Sequence, residues 1–526
     1  MNLDRATYIL ILLLSALGLY CSFIIGISWD EYISNIEASA RIDFLKSFGK
    51  NLDYLQYNQF QNPGFYEVAL AFLSNLFHKL WVYEARHFFN LLLSFATLLG
   101  VFLVVKDNFD KRIALFTVLF CLINPFFFGM MSITVRDMPV CFAYAWSMYF
   151  LSKYLKNFFN NDIKTIIGMG LVIGFGLGSR LGFIINILPI LIILTYFFLI
   201  YKKQIQIQSF LEKILKDSFL IVILSLFILF SFWVNAYESP FYTLIETFKQ
   251  TVHLTKGPET FIINENIYNT IDTPRTYFPL FFLTRFPIFL IILILLFFPF
   301  LFIKNDYFIK KYKFFNEKIF FNFLIILIPV LLAIILKVTI FDDFRFFIFL
   351  IPFLSLFAGL SFDILVDNFK KNIIYKIILL LILSTFLIFV ERFIRLTPYQ
   401  YSFSNYTSTD YANTKNLYQH DFWATSYKEL IKKIKNDKKF EHQKFSVSVC
   451  GGNLWQAINE FNKDKYFRKN VSYYHKFAAH KADYIIMINR LGSGKFKNER
   501  CFNRFKGTDV KSVKRLGVTY SVFRKM

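Results

Sequence analysis

The sequence predicts an α-helical polytopic membrane protein with about eleven transmembrane helices, followed by a small C-terminal α/β domain. Of its 526 residues, 56% are hydrophobic, 71 are Phe and only 18% are charged, against about 25% charged residues in soluble proteins. A soluble globule of this length cannot bury so much apolar side chain, because its surface must still carry polar groups. The composition therefore excludes a soluble enzyme, a disordered protein and a nucleic-acid-binding module.

Eleven apolar segments predict the membrane-spanning helices, each of which needs about 17–25 residues. They are residues 8–27, 88–105, 113–131, 138–155, 165–178, 183–201, 218–235, 277–303, 319–340, 344–362 and 373–390. The segment 165–178 is shorter and is turned into the next one by Ser179–Gly182. The first segment has no small-residue cleavage site, so we expect a retained span and not a signal peptide.

Lys and Arg are unevenly distributed over the loops between these segments. Residues 1–5, 106–112, 153–164, 202–216, 304–318 and 366–376 hold 19 of them in 65 positions, whereas residues 28–66, 129–137, 179–182, 236–275 and 341–345 hold 9 in 97. Positive loops stay cytoplasmic, so the first set and the N-terminus are predicted to be cytoplasmic. An odd number of spans then places the C-terminal domain outside, since long domains cross largely regardless of charge.

The composition of the chain changes after residue 392, from a mainly apolar part to a strongly basic one. Residues 393–526 contain 26 Lys and Arg and 10 Asp and Glu, which is +16 of the net charge of +23. In this basic domain we expect an amphipathic helix over Ser426–Lys439, strands over Phe445–Val449 and Asp483–Ile488, and a hairpin over Val510–Arg524. The domain also contains Cys450 and Cys501, for which an oxidising compartment permits, but does not require, a disulfide.

Two segments of the membrane domain, residues 1–392, differ from simple spans. Residues 28–66 are predicted to form the first outer loop. The segment 64–82 is apolar but interrupted by polar residues, so it is predicted to be a helix lying in the membrane interface. Gly170, Gly174 and Gly178 recur every four residues. Close packing against another helix explains this spacing better than a nucleotide-binding loop, which requires a preceding strand and a ribose-binding acid.

Charged residues cluster at the predicted outer ends of the spans. The candidate residues for chemistry are Asp30, Glu31, Arg136, Asp137, Arg180, Lys337 and Arg345. Cations at this boundary can hold the phosphate of a lipid carrier, and a nearby carboxylate can take a proton from an attacking hydroxyl. The pattern favours a transferase that uses a lipid phosphate, because a transporter places its polar groups near the bilayer midplane.

Short motifs in the same loops resemble the GT-C glycosyltransferases, among them the protein mannosyltransferases and bacterial aminoarabinose transferases. The resemblance rests on Ile27–Tyr32 with its Asp-Glu pair, Asn62–Tyr66 (a His-Pro-Pro-Leu-Tyr element with the His and the second Pro replaced), Asn124–Gly129 followed by Val135–Val140, Phe341–Pro352 with Phe346 in place of a His, Pro398–Tyr401 and Asp421–Tyr427. The last two motifs are similar to those of a bacterial subgroup with a small outer C-terminal domain.

This resemblance implies an inverting glycosyltransferase in a bacterial inner membrane, with a polyprenyl-phosphate sugar as donor and a lipid, glycan or protein as acceptor. By position, Asp30 would be the general base or its close partner, Glu31 would support it or bind a sugar hydroxyl, and Asp137 would orient the acceptor or a metal. Arg180 and Arg345, with Arg136 and Lys337 as further candidates, would bind phosphate. The resemblance leaves open whether a divalent metal, Mg²⁺ or Mn²⁺, takes part; Asp30 and Asp137 would be its ligands.

Two other functions remain open on the sequence alone. One is a lipid or glycan transporter or flippase, and the other is a polysaccharide polymerase or ligase. A polymerase would more often carry its large outer loop between spans, whereas here the extra domain is terminal. His87, which lies at the start of the span 88–105, is expected to be a polar tip among the lipid headgroups.

Overall fold

A computed structural model describes residues 3–57, 62–158, 162–201, 207–252, 260–369, 372–405, 413–492 and 497–526. Residues 58–61 of the predicted outer loop therefore lie outside the described residues. The helices are α1 (Leu3–Ile24), α2 (Trp29–Lys46), α3 (Phe65–Ser74), α4 (Val82–Asn108), α5 (Lys111–Ile123), α6 (Pro125–Met130), α7 (Asp137–Lys156), α8 (Ile163–Ser179), α9 (Ile187–Tyr201), α10 (Ile207–Ser231), α11 (Pro240–Val252), α12 (Tyr277–Arg285), α13 (Ile288–Ile303), α14 (Asn305–Lys311), α15 (Phe315–Ile335), α16 (Ile351–Asn368), α17 (Ile373–Arg395), α18 (Thr414–Leu417), α19 (Tyr427–Lys435), α20 (Leu454–Asn462), α21 (Lys465–Asn470) and α22 (Cys501–Arg504).

The apolar segments predicted from the sequence all coincide with helices. Within the described ranges, seven helices are long and apolar enough to cross a membrane: Leu3–Ile24, Lys79–Asn108, Leu181–Ile200, Gln208–Ser231, Phe315–Ile335, Arg345–Asn368 and Ile373–Arg395. The pair α12 and α13, bent by 120°, makes an eighth if it is one span. The remaining predicted spans correspond to α5 with α6, to α7 and to α8. The fold is therefore that of a multi-pass membrane protein.

The glycine stripe of α8 packs against α10. A Cβ built on Gly174 would lie 2.8 Å from the Cα of Ser225, and one on Gly170 would lie 3.2 Å from the Cα of Ile221. Any larger side chain would push the two helices apart, because an interior at close packing has no space to absorb a methyl group. The prediction of small-residue helix packing is confirmed.

The C-terminal domain contains a five-stranded mixed sheet with the order β4-β3-β5-β7-β6. The strands are β3 (Phe445–Cys450), β4 (Val471–Tyr473), β5 (Tyr484–Ile488), β6 (Thr508–Arg515) and β7 (Val518–Lys525), and a separate hairpin, β1 (Thr260–Ile263) with β2 (Asn266–Asn269), precedes α12. β3 is parallel to β4 and β5, whereas β7 runs antiparallel to β5 and β6. Helix α19 buries Leu430, Ile431 and Ile434, as its amphipathic pattern predicts.

A disulfide joins Cys450 at the end of β3 to Cys501 at the start of α22. The bond closes a loop of 51 residues that contains β4 and β5. Of the two alternatives that the sequence left open, the structure has the paired one. Disulfides form and persist in oxidising compartments, which agrees with the predicted outer location of this domain.

The C-terminal domain is fixed to the membrane helices by specific polar contacts. Gln456 donates to the carbonyl oxygens of Ile27 and Trp423 at 2.6 and 2.9 Å. The ammonium groups of Lys428 and Lys463 lie 2.9 and 2.7 Å from Oε1 of Glu84, near the start of α4. Part of the positive charge of this domain therefore holds it in place beside the first outer loop.

Two of the subgroup motifs meet between the membrane helices and the sheet. Tyr401 donates a 2.6 Å hydrogen bond to Asp421, whose carboxylate also accepts the backbone N–H groups of Thr425 and Ser426. The backbone of Tyr401 approaches Gly129 so closely that a Cβ there would lie 2.2 Å from its nitrogen. These motifs therefore connect the second outer loop with the C-terminal domain.

Candidate active site

Four chain segments bring their charged residues to one end of the helices. Asp30 and Asp137 lie in the first turns of α2 and α7, Arg180 directly follows α8, and Arg345 begins the 3₁₀ helix Arg345–Leu350 that leads into α16. α2 starts here because Ser28 and Glu31 form a capping box, which satisfies backbone N–H groups that have no partner within the helix.

We call Asp30, Asp137, Arg180 and Arg345 the acid–arginine cluster, and Arg345 connects its two acids. Its Nη1 lies 3.1 Å from Oδ2 of Asp30 and 3.5 Å from Oδ2 of Asp342, and its Nε lies 3.6 Å from Oδ2 of Asp137. Arg180 pairs with the other oxygen of Asp137. The structure thus brings Asp30, Asp137, Arg180 and Arg345 together, as a shared role in chemistry requires.

Aromatic rings surround the guanidinium groups. Arg345 lies 5.0 Å from the ring centre of Phe346 and 5.3 Å from that of Trp423, while Arg180 lies 4.8 Å from the ring of Phe346. Cations are attracted to such faces, and apolar surroundings strengthen charge interactions. The ring of Phe346 thus contacts both arginines.

Arg136 extends the cluster along α2 and α3. Its Nε lies 2.8 Å from Oε1 of Glu67, and its Nη2 lies 3.6 Å from Oε2 of Glu37. Nearby, Arg41 donates to the carbonyl oxygens of Asn62 and Pro63 at 2.8 and 2.9 Å.

The approach of the Arg41 guanidinium explains a change in the Asn62–Tyr66 motif. A Cβ on Gly64 would lie 1.5 Å from Nη1 of Arg41, and Gly64 has φ of +82°. Glycine is the residue that fits both conditions, because it has no Cβ and adopts positive φ readily.

Glu31 points away from the cluster, although it is the neighbour of Asp30. Its carboxylate accepts the N–H of Ser28 at 2.7 Å and lies 3.1 Å from Nε2 of His87. His87 also contacts the carbonyl oxygen of Ser22 at 3.0 Å and is 1% exposed. The expectation that His87 lies among the headgroups is therefore wrong: α4 turns it inward, against α1 and α2.

The C-terminal domain contributes one cation to the rim of the cluster. Nη2 of Arg490, two residues after β5, lies 3.3 Å from Oδ1 of Asp342, and its guanidinium lies 5.4 Å from the ring of Trp29. Asp342 in turn contacts Arg345. A residue of the C-terminal domain therefore touches an acid that contacts Arg345.

Burial and charge act in opposite directions on the acids of α2. Burial alone would raise the pKa of Asp30, but the guanidinium groups of Arg345, Arg136 and Arg180 together lower it below its ordinary value. Burial raises the pKa of Glu37 to about 7, although Arg136 opposes the shift. Asp30 thus remains an anion, while Glu37 exchanges its proton near neutral pH.

Lys337 is not part of the cluster in this structure. It lies exposed just beyond the end of α15, and among the described residues it forms no ion pair. Arg285, the last residue of α12, is fully buried. It binds Asp343 at 2.5 Å and the carbonyl oxygen of Phe403 at 2.7 Å, which ties α12 to the chain after α17.

The acids of the cluster do not form a ready metal site. Asp30 and Asp137 each face a guanidinium group, and no group of three or more His, Cys, Asp or Glu side chains suited to a metal ion occurs within the described part of the chain. A divalent cation would have to displace one arginine, and it would bring two positive charges close to the remaining arginine. These residues therefore fit an anionic ligand better than a metal.

Several residues of the cluster were not predicted as site residues. Glu37, Glu67, Asp342 and Arg490 lie in it or directly beside it. Glu37 follows Asp30 by seven residues, which is two helical turns. Reading residues 29–46 as a helix would have put both acids on one face. For Arg490, about 350 residues from Asp137, the sequence carries no such signal.

A family profile matches part of the chain, and solved structures resemble its fold. The sequence profile described as dolichyl-phosphate-mannose-protein mannosyltransferase matches residues 63–233, about a third of the chain, which includes Arg136, Asp137 and Arg180. No curated protein matches the chain in sequence.

Among solved structures, ArnT from Cupriavidus metallidurans in the apo state is similar to the chain with a TM-score of 0.50 and 9% identity, over 99% of this chain and 98% of ArnT. The same protein bound to undecaprenyl phosphate matches with a TM-score of 0.47, 10% identity and the same shares of both chains. The oligosaccharyltransferase of Archaeoglobus fulgidus in the apo form matches with a TM-score of 0.47 and 11% identity, over 90% of this chain and 65% of that one.

The profile match and the fold shared with apo ArnT confirm the resemblance that the motifs predict. The chain is a multi-pass membrane protein that shares the fold of apo ArnT. The profile covers Asp137 and Arg180 but neither Asp30 nor Arg345, so the assignment of the complete cluster rests on geometry.

Proposed function

We propose that this protein transfers a sugar from a polyprenyl-phosphate-linked donor to an acceptor hydroxyl on the outer face of a bacterial inner membrane. One observation carries the proposal: Asp30, Asp137, Arg180 and Arg345, from four separate segments, form one ion-paired cluster at the ends of apolar helices. Buried charges are costly, so groups of this kind occur in membrane proteins mainly at functional sites.

The arginines are suited to the phosphate of the donor. Nε of Arg345 and Oδ2 of Asp137 are both buried, lie 3.6 Å apart, and have no hydrogen-bond partner within the described residues. A phosphate oxygen near Arg345 and Arg180 would gain charge-assisted hydrogen bonds. The family profile names a dolichyl-phosphate sugar, and one ArnT structure holds undecaprenyl phosphate, which supports a donor of this class.

Asp30 is the candidate base. In an inverting displacement the acceptor oxygen attacks C1 of the sugar as the bond from C1 to the phosphate oxygen breaks. The acceptor proton passes to the carboxylate of Asp30, and the bonding electrons leave with the phosphate. Arg345 and Arg180 stabilise the charge that develops on that phosphate. The lowered pKa of Asp30 keeps it ionised before the reaction starts.

The other predicted residues take supporting positions in this scheme. Asp137 holds Arg180 and Arg345 and orients the acceptor, and Arg136 adds positive charge beside Asp30. Glu31 fixes the start of α2 through its capping contacts. Lys337 lies apart from the cluster in this structure and has no step in the mechanism.

Topology and acceptor follow from the same arrangement. The uneven distribution of Lys and Arg and the Cys450–Cys501 disulfide both support a C-terminal domain outside the cytoplasm. Arg490 reaches the edge of the cluster from this domain. We infer that the basic domain orients a lipid, glycan or protein acceptor beside Asp30.

Transfer by the purified protein tests this proposal. The protein, in lipid nanodiscs, is given a panel of polyprenyl-phosphate sugars together with lipid and glycan extracts from a strain that lacks it. We expect sugar in one acceptor fraction and an equal amount of released polyprenyl phosphate. In a parallel assay with the protein in sealed liposomes, movement of the donor across the bilayer without cleavage would indicate a flippase. Chain extension of one glycan would indicate a polymerase.

A further inference from the structure

A cavity of about 890 Å³ lies toward the opposite end of the helices from the acid–arginine cluster. It lies among α4, α7, α9, α15 and α16. Its volume is within the range of roughly 300–1,000 Å³ that is usual for small-molecule sites. The mechanism proposed above makes no use of it.

The lining of this cavity is divided by polarity. Its polar residues gather where α4 and α7 end and α15 begins, and they include Asn108, Ser152, Lys156, Lys313 and Lys318. Deeper between the helices the wall is mainly apolar, with Met148, Leu151, Phe321, Ile325 and Phe353 among its residues. Asn322 also lines it, and its amide donates to the carbonyl oxygen of Phe353. The cavity therefore offers a charged mouth and a hydrocarbon-like interior.

Three lysines give the mouth its positive charge. Lys156 and Lys318 donate to the successive carbonyl oxygens of Asp107 and Asn108 at the end of α4, which brings their ammonium groups close together. Within the described ranges, none of the three lysines forms an ion pair, and the one acid in the lining is Glu317. An ammonium group has three donors, so both lysines keep donors for a ligand. Neighbouring cations repel each other, and an anion between them removes that repulsion.

We propose that this cavity binds one anionic phospholipid, with its phosphate on Lys156, Lys313 and Lys318 and an acyl chain between the helices. All three lysines lie in loops 153–164 and 304–318 or at their edge, which the distribution of Lys and Arg places in the cytoplasm. Anionic phospholipids are abundant in that leaflet, and basic pockets between transmembrane helices bind their headgroups. The apolar wall excludes free phosphate as the main ligand, because phosphate would leave it uncovered.

The site is separate from the donor site. Lys156 ends α7 and Asp137 begins it, and this helix of 20 residues is roughly 30 Å long. A phosphate held by Lys156 therefore cannot reach Asp137. The proposed lipid site does not depend on sugar transfer, and it is tested by measuring lipid binding.

Native mass spectrometry of the delipidated protein tests the inference. Phosphatidylglycerol and phosphatidylcholine with identical acyl chains are titrated separately. We expect one phosphatidylglycerol to bind at least about tenfold more tightly than phosphatidylcholine, since each lysine near an anionic headgroup contributes about fivefold in affinity. Equal affinities for the two lipids would overturn the proposal without the use of any variant.

Two matched triple variants locate the site. Lys156→Gln, Lys313→Gln and Lys318→Gln together are expected to abolish the preference for phosphatidylglycerol. The control variant, Lys106→Gln, Lys310→Gln and Lys376→Gln, removes the same charge from the same side of the helices but outside the cavity. It should keep the preference for phosphatidylglycerol. The proposal would be contradicted if the preference for phosphatidylglycerol were lost in the control variant alone, or in neither variant. Displacement of the phospholipid by equimolar polyprenyl phosphate would instead assign the cavity to the donor.

Discussion

Arg345 lies between the two carboxylates that matter most in the proposed reaction. It contacts Asp30 and Asp137, and Trp423 and Phe346 flank its guanidinium. In the absence of donor these acids balance its charge. In the proposed mechanism, the donor phosphate would compete with these acids for the N–H groups of Arg345, and Asp30 would then be free to take the acceptor proton.

Replacing Arg345 should therefore weaken use of the donor more than it weakens the fold. For Arg345→Ala we expect the KM for the polyprenyl-phosphate sugar to rise about 10- to 100-fold, the value of one or two charge-assisted hydrogen bonds. Arg345→Lys, which keeps the charge but loses the planar fork, should be intermediate. Steady-state transfer rates at varied donor concentration measure both.

The matched control is Arg395→Ala, because Arg395 is exposed and pairs with Glu391 in its own helix. It should leave the donor KM unchanged. An Arg345→Ala protein that folds, as judged by its elution from a sizing column, and that keeps the wild-type donor KM would remove Arg345 from the phosphate site.

Glu37 should make stability depend on pH. Its pKa is raised from an ordinary value of 4.5 to about 7 in the folded protein. The folded state therefore holds a proton that the unfolded state has lost, and this contribution to stability is complete below about pH 4.5 and is lost as the pH rises to 7. We expect the Tm in detergent to fall between pH 5 and 8 by several degrees more for the wild type than for Glu37→Gln. Parallel profiles of the two proteins would contradict this assignment.

The sequence predicts which charged side chains meet in the acid–arginine cluster better than it predicts their individual partners. Asp30, Asp137, Arg180 and Arg345 stand out because charges beside long apolar segments are conspicuous. The role of His87 could not be predicted, because its partner Glu31 lies 56 residues away and on another helix. A lone His before a span has the same local sequence whether it faces lipid headgroups or the protein interior.

Helix α2 explains how one outer loop supplies so many charged groups. Asp30, Ser34, Glu37 and Arg41 follow one another at three- or four-residue spacing, so they lie along one side of the helix. Three of them are buried, whereas Asp30 is half-buried at the end nearest Arg345. This spacing, which matches the helical period of 3.6 residues, is the sequence signal for a helix within the loop 28–66.

The packing of α8 on α10 is predicted to be intolerant of larger residues. Gly174→Val places atoms where the backbone of Ser225 already lies, within 2.8 Å of the first added carbon. Overpacking of this kind costs about 1–3 kcal/mol, so we expect a lower Tm and displaced Arg180, which follows α8 directly. Leu171→Val on the same helix, where the side chain is 41% exposed, is the control and should leave the Tm nearly unchanged. Equal Tm values for the two variants would show that α8 and α10 are not in close contact.

Across the whole molecule, the C-terminal domain and the membrane helices form one site. Hydropathy predicts the spans, and strand patterns predict the sheet, because each is a local property. Their contact through Gln456, Lys428 and Arg490 is not local, and no spacing in the sequence predicts it. The bend of 120° between α12 and α13 was also not predicted, since residues 277–303 are apolar throughout.

The disulfide tests the topology of the molecule as a whole. Removing it with Cys450→Ser and Cys501→Ser should cost about 2–5 kcal/mol of stability, because the unfolded chain regains the freedom of the closed loop. Protein isolated from membranes should gain two alkylatable thiols in this domain only after reduction. Free, readily alkylated Cys450 and Cys501 in intact cells would place the domain in the cytoplasm and reverse the proposed orientation.

The most direct measurement of the proposed chemistry compares wild type and Asp30→Asn for release of polyprenyl phosphate from the sugar-linked donor in the presence of acceptor. Asparagine keeps the size of the side chain but cannot take the acceptor proton. We expect the Asp30→Asn protein to lose about 100- to 10,000-fold in rate and to keep its binding of the donor. A folded Asp30→Asn protein that releases polyprenyl phosphate at close to the wild-type rate would contradict the proposed chemistry.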